Sequence, residues 1–404
     1  MANGRPFVGL RYDERIAGPL DGLTTPPYDA ISGAERDRYE RLSPRNVVHL
    51  ILGHVEPGDG ERVNRYTRAA DALRAWREEG ALVPHPEPAV FPYEMRFHFG
   101  GRERHLRGMI LEVEIEPWGG SILPHERTLP GPLEDRLHLL RTVRTNLSPV
   151  YAMLRGPSLQ LEDFLGAATG EPPIATVVDE AGTQHRLWAT PDGAAAATEA
   201  LAASTLLIAD GHHRYSVALA YRGEMRARFG PGPWDWMMMF VVDAATEDPP
   251  VLPFHRAILT PELGSPREAL HGGERVRDLA EVLASVDDDA VTVGIVQVEQ
   301  GELAHRIVRL DGAPPAVLAL HTQVLVSTGG AGLRFLPDAV AAEELVRIGE
   351  ATTAFILPPT HVDRIRRIVE HGGRLPEKST YFWPKPRTGL VMRALEDQRV
   401  MPTV

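Results

Sequence analysis

The densest group of chemically active residues lies in the segment IADGHHRYSVALAYR, residues 208–222. The short apolar run 206–208 leads into Asp210 and Gly211, which predicts a strand, a tight turn and then a helix. The first N–H groups of such a helix attract anions. Arg214 would add a guanidinium that fits phosphate or carboxylate. Asp210 would act as the helix N-cap, as a base or as a metal ligand, with Mg²⁺ as the candidate ion.

Two adjacent histidines, His212 and His213, follow the turn. In an alternative without function, Asp210 caps an ordinary helix and both histidines face solvent. An Asp, two His and an Arg on one turn are denser than that alternative predicts. We therefore predict that Asp210 and His213 are catalytic, and that Gly211, His212 and Arg214 bind phosphate or substrate.

A second group lies between residues 122 and 146. His125, Glu126 and Thr128 occupy a proline-bounded loop, where functional residues are often placed. The zinc-protease motif is excluded, because no second His stands four residues after His125. We predict Glu126 as a catalytic residue, with either Glu126 or Asp210 as the base or Mg²⁺ ligand, and His125 and Thr128 as binding residues, against the alternative of an ordinary loop.

Asp135 and Arg136 follow this loop on a predicted helix, whose apolar positions are Leu133, Leu137 and Leu140. We predict that Asp135 and Arg136 bind substrate or phosphate. A solvated helix face is the alternative.

The C-terminal segment RLPEKSTYFWPKPRTGL, residues 374–390, contains both lysines of the chain, Lys378 and Lys385. All other basic residues are Arg, so the two ammonium groups indicate a site that needs compact point charges. Ser379 and Thr380 stand beside the first of them. We predict that these four residues bind substrate or phosphate, against a strand that packs its aromatic residues into the core.

Two further segments carry weaker signals. His255 and Arg256 follow Pro253 and are predicted to bind phosphate or substrate, with a sheet-edge pair as the alternative. The block PPYDAIS, residues 26–32, predicts a turn and then a capping box. Asn46 and His49 are interpreted as structural residues.

Hairpins and helices alternate irregularly along the chain, which favours an α+β fold over a parallel doubly wound sheet. Alternating apolar residues at 91–99 and 109–115, separated by Gly100-Gly101, predict a β-hairpin. Residues 61–79 have helical spacing and end at Gly80. One family region is expected over residues 1–404, with an N-terminal lobe at 1–155, an excursion at 156–204, and a core and C-terminal lobe at 205–404.

Composition excludes several classes of protein. The 404 residues include no Cys, so disulfide and thiolate chemistry are ruled out. The net charge of −12 opposes a nucleic-acid-coating role. No apolar run approaches membrane-spanning length, and charges interrupt the N-terminus where a signal peptide would be apolar. We expect a cytoplasmic protein with a small-molecule substrate and no membrane partner, and association of identical subunits stays open.

Several blocks in this order resemble the domain-of-unknown-function 1015 family. They are PPYDAIS, SPRNVVHLIL, HERT with DRLHLLRTVRTNLSP, IADGHHRY, LPFHR and LPEKSTYFWPKPRTGL. The resemblance extends from about residue 7 to about 395, with Leu375 where the family pattern has Met. It implies a common fold but no established activity.

The Asp-Gly-His-x-Arg turn is also similar to the phosphate-binding box of the ParB and sulfiredoxin-like superfamily. That superfamily includes kinases of free serine and nucleotide-dependent DNA clamps. The similarity implies a core of that type around residues 206–222, in which residues 210–214 grip a phosphate donor or its metal. It rests on about five residues and is an analogy.

Three functions follow from these observations. The first is a phosphotransferase that moves a phosphoryl group from a nucleotide or pyrophosphate to a hydroxylated metabolite, such as a free amino acid. The second is a nucleotide-binding regulator or clamp, and the third is a metal-dependent hydrolase. The hydrolase would use as ligands His125, Glu126, His212, His213 and His255. For the first function, we expect the charged segments to face one cleft built for a phosphate-like anion.

Overall fold

The chain folds into helices and mixed sheets, which confirms the predicted α+β class. The computed structural model describes residues 1–128, 130–156, 158–202, 204–243, 248–259, 273–325 and 332–396. Two compact units are present. The first contains residues 1–124, 128–249 and 384–404, and the second contains residues 125–127 and 250–383.

The helices are given in chain order. They are α1 (Glu14–Ala17), α2 (Gly33–Leu42), α3 (Val48–Ile51), α4 (Arg65–Glu78), α5 (Pro130–Val143), α6 (Leu159–Thr169), α7 (Ala194–Ala202), α8 (His212–Phe229), α9 (Leu279–Ser285), α10 (Ala316–Leu320), α11 (Ala339–Arg347) and α12 (Val362–Glu370). Within the described residues, none of them is both long enough and apolar enough to cross a bilayer.

The strands of the first unit form one large sheet and two short ribbons. They are β1 (Gly4–Arg5), β2 (Leu10–Tyr12), β3 (Leu82–Pro84), β4 (Phe91–Phe99), β5 (Arg102–Glu114), β6 (Ile122–Pro124), β7 (Thr145–Asn146), β8 (Val150–Leu154), β9 (Ala175–Val178), β10 (Gln184–Leu187), β11 (Leu206–Asp210), β12 (Trp236–Val242) and β21 (Arg393–Ala394). The large sheet has the order β6-β11-β8-β12-β5-β4-β10-β9, with β1 added beside β5. The pairs β6/β11 and β8/β12 are parallel and the others are antiparallel.

The predicted hairpin forms the antiparallel pair β4/β5, with Phe91 opposite Ile110 and Phe99 opposite Arg102. The predicted helix at 61–79 is α4, which Asn64 caps. One face of the large sheet packs against α6, α7 and α8 around a core of apolar side chains that includes Leu111, Leu165 and Tyr215. This core fixes the end of β11 and the start of α8, where the Asp-Gly-His-His-Arg segment lies.

The second unit is built on a six-stranded antiparallel sheet. The strands of this unit are β13 (Val251–Pro253), β14 (His255–Ile258), β15 (Glu274–Val276), β16 (Thr292–Glu299), β17 (Glu302–Arg309), β18 (Leu333–Leu336), β19 (Thr353–Ile356) and β20 (Thr380–Phe382), of which β13 and β20 lie outside the six-stranded sheet. The sheet order is β15-β17-β16-β19-β14-β18, and β13 pairs separately with β20. Residues of α9 and α11 pack against this sheet through a core that includes Val282, Ala342 and Ile356.

The apolar run at 251–258 forms two strands instead of one. Val251–Pro253 pairs with β20, whereas His255–Ile258 lies between β18 and β19. Pro253 has no N–H to continue a ladder, which accounts for the break. Residues His255 and Arg256 therefore lie on an inner strand and not at a sheet edge.

The two units divide the chain differently from the three predicted sections. The strands β9 and β10, which lie in the predicted excursion at 156–204, are members of the large sheet of the first unit. The sequence position of an insertion does not show which sheet edge it extends, because that depends on pairing with the distant strand β4.

Arg393 ties the C-terminal segment to the large sheet, and its side chain is almost fully buried. It forms an ion pair with Glu112 and donates at 2.8 Å to the carbonyl oxygens of Trp236 and Pro233. We expect Arg393→Ala to lower the free energy of unfolding by roughly 3–5 kcal/mol, because buried Glu112 would keep only the half-exposed Arg5 as a partner and two carbonyl oxygens would lose their donor. Urea unfolding measures the loss.

The matched control is Arg74→Ala, which removes an exposed arginine that pairs with Asp71 on α4. Its loss is expected to stay within about 1 kcal/mol, because exposed pairs stabilise little. Equal losses for both variants would contradict the role assigned to Arg393.

Candidate functional site

The predicted strand–turn–helix is present as β11, Gly211 and α8. Gly211 adopts a left-handed conformation with φ of +98°, which favours glycine. It also occupies the N-cap position of α8, and no side chain caps this helix. Of the roles considered for Asp210, that of helix N-cap is therefore excluded. Asp210 is the last residue of β11, and its carboxylate points to cations instead of to the helix backbone.

Two cations hold the Asp210 carboxylate. Lys385 places its Nζ 2.5 Å from Oδ1, and Arg214, one helical turn after Asp210, pairs with Oδ2. All three side chains are nearly buried, with exposed fractions of 12 % for Asp210, 11 % for Arg214 and 5 % for Lys385. The structure thus brings Asp210 and Arg214 together with Lys385, which lies 175 positions after Asp210 in the chain. We name Asp210, Arg214 and Lys385 the cation–carboxylate cluster.

Arg214 also binds the loop before β8. It donates to Ser148 Oγ at 3.1 Å and to the carbonyl oxygen of Pro149. Beside it lies a cavity of about 70 Å³ that is lined by Arg214, Arg136, Tyr28 and Ser148 together with apolar residues of α5 and α8. Two guanidinium groups on one small cavity make an environment that favours an anion.

Arg136 is buried on α5, which excludes the solvated helix face considered for it. It donates to the carbonyl oxygen of Ile51 at 2.6 Å and to Asp135 at 2.7 Å, and its guanidinium lies 4.4 Å from the centre of the Tyr28 ring. Asp135 also accepts a hydrogen bond from Tyr66 at 2.7 Å. Burial raises the pKa of Asp135, but Arg136, Tyr66 and Arg65 outweigh it, so the pKa of this carboxyl lies below its usual value.

The other predicted residues of the first unit have different surroundings. His212 is buried, and its ring stacks on that of Trp118 with 6.3 Å between the centroids. Its predicted role in binding stays a prediction. His213 and Thr128 are half-buried, the first on the opening turn of α8 and the second before α5. Their predicted roles in catalysis and binding stay predictions.

Two residues of this site were missed at the level of sequence, Tyr28 and Asp29. They form a single 3₁₀ turn within the block PPYDAIS. Asp29 places Oδ1 3.8 Å from Lys385 Nζ, and burial, followed by the charge of Asp29, raises the pKa of Tyr28 well above its usual value. The block itself was a signal, since it was singled out for its turn chemistry, but nothing in it predicts contact with residue 385.

In the second unit, the Glu126 carboxylate holds the loop that precedes β20. It accepts hydrogen bonds from the backbone N–H groups of Lys378, Ser379 and Thr380 at 3.1, 3.0 and 2.8 Å, and from Thr380 Oγ1 at 2.7 Å. Lys378 has a left-handed φ of +52°, which turns its N–H toward this carboxylate. Four donors already occupy Glu126, so a substrate hydroxyl would have to displace one of them.

His125 and Ser379 support the same loop. The Nε2 atom of His125 lies 2.7 Å from Thr380 Oγ1, and its ring packs against Phe382. Ser379 is buried and donates to the carbonyl oxygen of Pro376 at 2.8 Å. The ammonium group of Lys378 lies 5.3 Å from the centre of the Phe254 ring. The structure thus places these residues next to one another and gives most of them contacts that hold a loop. Their predicted roles in catalysis and binding stay predictions.

Arg256 is fully buried and its hydrogen bonds go to backbone carbonyl oxygens, those of Phe254 and Glu377. Its Nε has no hydrogen-bond partner within the described residues. Burial lowers the pKa of Arg256 to about 10. This guanidinium is the strongest candidate for anion binding in the second unit, since a buried cation without a bonded carboxylate gains most from one.

The described residues offer one group that could hold a metal ion, formed by Asp37, Glu40 and His54. It includes none of the histidines proposed for the metal-dependent hydrolase. Its members lie on α2 and after α3, and His54 Nε2 is already 2.7 Å from Glu40. The geometry of the described residues therefore gives the hydrolase hypothesis no support.

Comparison with known proteins identifies the family. The family model described as a protein of unknown function, DUF1015, matches residues 5–312. The chain belongs to this family. The match confirms the resemblance drawn from the sequence, and it ends before the C-terminal block at 374–390. No curated protein matches the sequence.

Several solved structures are distantly similar. One is a free serine kinase in complex with AMP, with 15% identity over 72% of this chain and 93% of that chain and a TM-score of 0.40. Another is a conserved hypothetical protein from Pyrococcus furiosus, with 15% identity over 66% of this chain and 90% of that chain and a TM-score of 0.36. A third is SbnI from Staphylococcus aureus with a C-terminal truncation, with 12% identity over 66% and 81% and a TM-score of 0.37. Similarity at this level does not assign an activity to this DUF1015 chain.

The turn at Gly211 provides a direct test of the site. A Cβ at this position would carry a strained φ and would lie 3.0–3.1 Å from the Arg214 guanidinium. We expect Gly211→Ala to lower the free energy of unfolding by about 1–2 kcal/mol. Gly223→Ala is the control, because Gly223 lies inside α8 and an added Cβ there would have no atom within 4 Å; it is expected to stabilise the chain by about 0.5–1 kcal/mol. In thermal unfolding, a lower stability for Gly211→Ala together with a higher stability for Gly223→Ala would support the left-handed turn at Gly211. Changes of the same sign in both variants would contradict it.

His255 gives the second unit a dependence on pH. Burial, followed by the charge of Arg256, lowers the pKa of His255 to about 4, and its Nδ1 accepts a hydrogen bond from the backbone N–H of Leu357 at 3.1 Å. An unfolded His binds a proton near pH 6.5, so the unfolded chain takes up the proton first as the pH falls. Stability contributed by neutral His255 is complete above pH 6.5 and decreases between pH 6.5 and 4.

We expect the melting temperature of the wild type to fall more between pH 7 and pH 5 than that of His255→Gln, which cannot titrate. The exposed His361 is the control, and His361→Gln should keep the wild-type dependence. Calorimetry at each pH measures the three curves. Parallel curves for the wild type and His255→Gln would exclude this role for His255.

Proposed function

We propose that the chain is a phosphotransferase, which moves a phosphoryl group from a nucleotide or pyrophosphate to a hydroxylated metabolite such as a free amino acid. The observation that carries this proposal is the cation–carboxylate cluster, in which Asp210 lies between Arg214 and Lys385 at the start of α8. The resemblance of this turn to a phosphate-binding box agrees with it.

Phosphoryl transfer requires positive charge around the transferred group and a carboxylate that accepts the proton of the acceptor. Arg214 offers a fork for two phosphate oxygens, and Lys385 offers a compact charge beside it. Arg136 lines the adjoining cavity and adds a third cation. Arg214 and Arg136 are also held by Ser148, Pro149 and the carbonyl oxygen of Ile51, so both guanidinium groups can keep their positions when an anion takes the place of Asp210.

The proposed reaction is a single displacement at phosphorus. When donor phosphate oxygens take the hydrogen bonds of Arg214 and Lys385, the Asp210 carboxylate loses its partners and becomes available as a base. The acceptor oxygen then forms a bond to phosphorus, and the bond from phosphorus to the leaving nucleotide or phosphate breaks. The proton of the acceptor hydroxyl moves to Asp210.

Asp210 is the better base of the two predicted carboxylates. Its partners are cations that a phosphate would attract, whereas Glu126 is held by backbone N–H groups and a hydroxyl. We propose that Glu126 positions the loop of Lys378, Ser379 and Thr380. The roles of Arg256 and His213 in binding and catalysis stay predictions.

The donor set at Asp210 does not fit a magnesium ion. Both carboxylate oxygens accept from cations, and Lys385 lies between Asp210 and Asp29. A divalent cation there would be repelled by the ammonium group at a few ångströms. Magnesium at Asp210 therefore has no part in the proposed reaction. A regulator that binds a nucleotide without transferring phosphate is the alternative that the experiment below separates.

The test is donor binding and transfer with the purified full chain. ATP, ADP and pyrophosphate are measured by calorimetry, and transfer is then measured with amino acids and sugars as acceptors. We expect Arg214→Met to weaken donor binding by roughly 10–100-fold, because a charge-assisted contact to phosphate is lost. Arg228→Met, at the exposed end of α8, is the control and should bind the donor as the wild type does.

Lys385→Met leaves Asp210 with a single partner and so disturbs the fold as well as the site. The double variant Asp210→Asn/Lys385→Met removes one charge of each sign, and Arg214 keeps its bonds to Ser148 and Pro149. It is expected to melt at a higher temperature than Lys385→Met while transfer is lost. Donor binding without transfer to any acceptor would favour the regulator. The absence of donor binding in the wild type would overturn the phosphotransferase.

A further inference from the structure

A row of charged residues crosses the end of the large sheet, on the face that α6 covers. Arg186 on β10 lies opposite Glu94 on β4, and Glu94 lies opposite Arg107 on β5. Val242, the last residue of β12, pairs with Gly108, so Asp243 follows at the level of Arg107. Residues directly opposite on neighbouring strands share a face. The row therefore alternates in sign across four strands.

This row interrupts an apolar face. Two positions along β5 from Arg107 lies Met109, which is fully buried in the core below α6. Val241, two positions before Asp243, belongs to the same core. Glu94 and Asp243 are themselves buried, with 3 % and 5 % exposure. Buried charges are costly unless they are paired, so a row of them at the end of a core needs an explanation.

A cavity of about 480 Å³ opens over this row. It is bounded by Glu94, Arg96, His105 and Arg107 on the sheet and by Glu162, Leu165 and Thr169 on α6, with Asp243 at its end. Binding sites for small molecules occupy roughly 300–1,000 Å³. The volume is thus sufficient for a small metabolite and too large for a single structural water.

The charged side chains of this row differ in the number of hydrogen-bond partners that the protein gives them. Glu94 accepts from Arg96 at 2.7 Å and from Arg186 at 2.9 Å. Asp243 accepts from the backbone N–H of Ser158 at 2.7 Å. Within the described residues, the side chain of Arg107 has no hydrogen bond or ion pair, although it is only half-exposed and lines the cavity. Its guanidinium can donate hydrogen bonds to the carboxylate of a ligand without giving up a contact within the protein.

The opposite wall supplies negative charge. Glu162 lies on the first turn of α6, at the exposed side of the cavity, and has no ion pair within the same described residues. Asp243 adds a second carboxylate at the end of the row. A ligand in the cavity therefore meets Arg107 on the sheet, Glu162 across from it on α6, and Asp243 one strand away from Arg107.

We propose that this cavity binds a small zwitterion of the amino-acid type, with its carboxylate on Arg107 and its ammonium group directed to Glu162 and Asp243. The site is separate from the cation–carboxylate cluster. The strands β11 and β12 are antiparallel through β8, so Asp210 and Asp243, each at the carboxyl end of its strand, lie at opposite ends of the sheet. The proposal does not depend on the phosphotransferase function.

Calorimetry of the full chain with a panel of L-amino acids tests the proposal. For each amino acid that binds, its N-acetyl derivative lacks the ammonium charge and its carboxamide lacks the carboxylate. We expect at least one amino acid to bind, and both derivatives to bind at least about tenfold more weakly. Failure of every amino acid to bind would overturn the proposal, as would equal binding of the derivatives.

Variants then locate the ligand. Arg107→Leu is expected to weaken binding at least about tenfold, and Glu162→Gln should weaken binding of the amino acid without affecting that of its N-acetyl derivative. Arg102→Leu, at the exposed start of β5, is the matched control and should bind normally. Melting curves confirm that each variant is folded. The double variant Asp210→Asn/Lys385→Met should retain binding, and its loss there would assign the ligand to the other site instead.

Discussion

The arrangement of the first unit's site depends on one interaction, the Asp210 carboxylate held by Arg214 and Lys385. It joins the end of a buried strand, the first turn of α8 and the C-terminal segment. Each of these charges is nearly buried, and a buried charge that loses its partner is strongly destabilising. The contacts that support the fold are therefore the same ones on which the proposed chemistry depends. An arriving anion would take the cations from Asp210 and would replace the lost pairing with its own.

The two predicted carboxylates show how partners decide a role. Asp210 is bonded to cations, whereas Glu126 collects three backbone N–H groups and one hydroxyl from residues 378–380. The side-chain cations that bind Asp210 can also bind a phosphate, because the attraction between charges does not depend strongly on direction. Backbone N–H groups are fixed by the course of the chain, so a carboxylate that holds them fixes a loop. Two carboxylates of similar chemistry therefore have different partners, and on this difference we base the proposal that Asp210 is the base and that Glu126 positions a loop.

Local features followed from the sequence with good accuracy. The hairpin β4/β5, the helix α4 and the strand–turn–helix at residues 206–222 were each predicted from apolar spacing and from Gly or cap residues. The α+β class followed from the irregular succession of such elements. The break at Pro253, the membership of β9 and β10 in the large sheet and the stacking of His212 on Trp118 were not predicted, because each depends on a partner distant in sequence.

By itself, the sequence determined which groups were available: a Gly that permits a left-handed turn, an Arg one helical turn after an Asp, and two lysines in one segment. Only the tertiary structure decided that Lys385 meets Asp210 while Lys378 lies over Phe254, and that Asp29 approaches the same ammonium group. The physical reason is that periodicity reports interactions over three or four residues. Charge pairing across 175 positions depends on how strands are ordered in a sheet, and local spacing carries no record of that order.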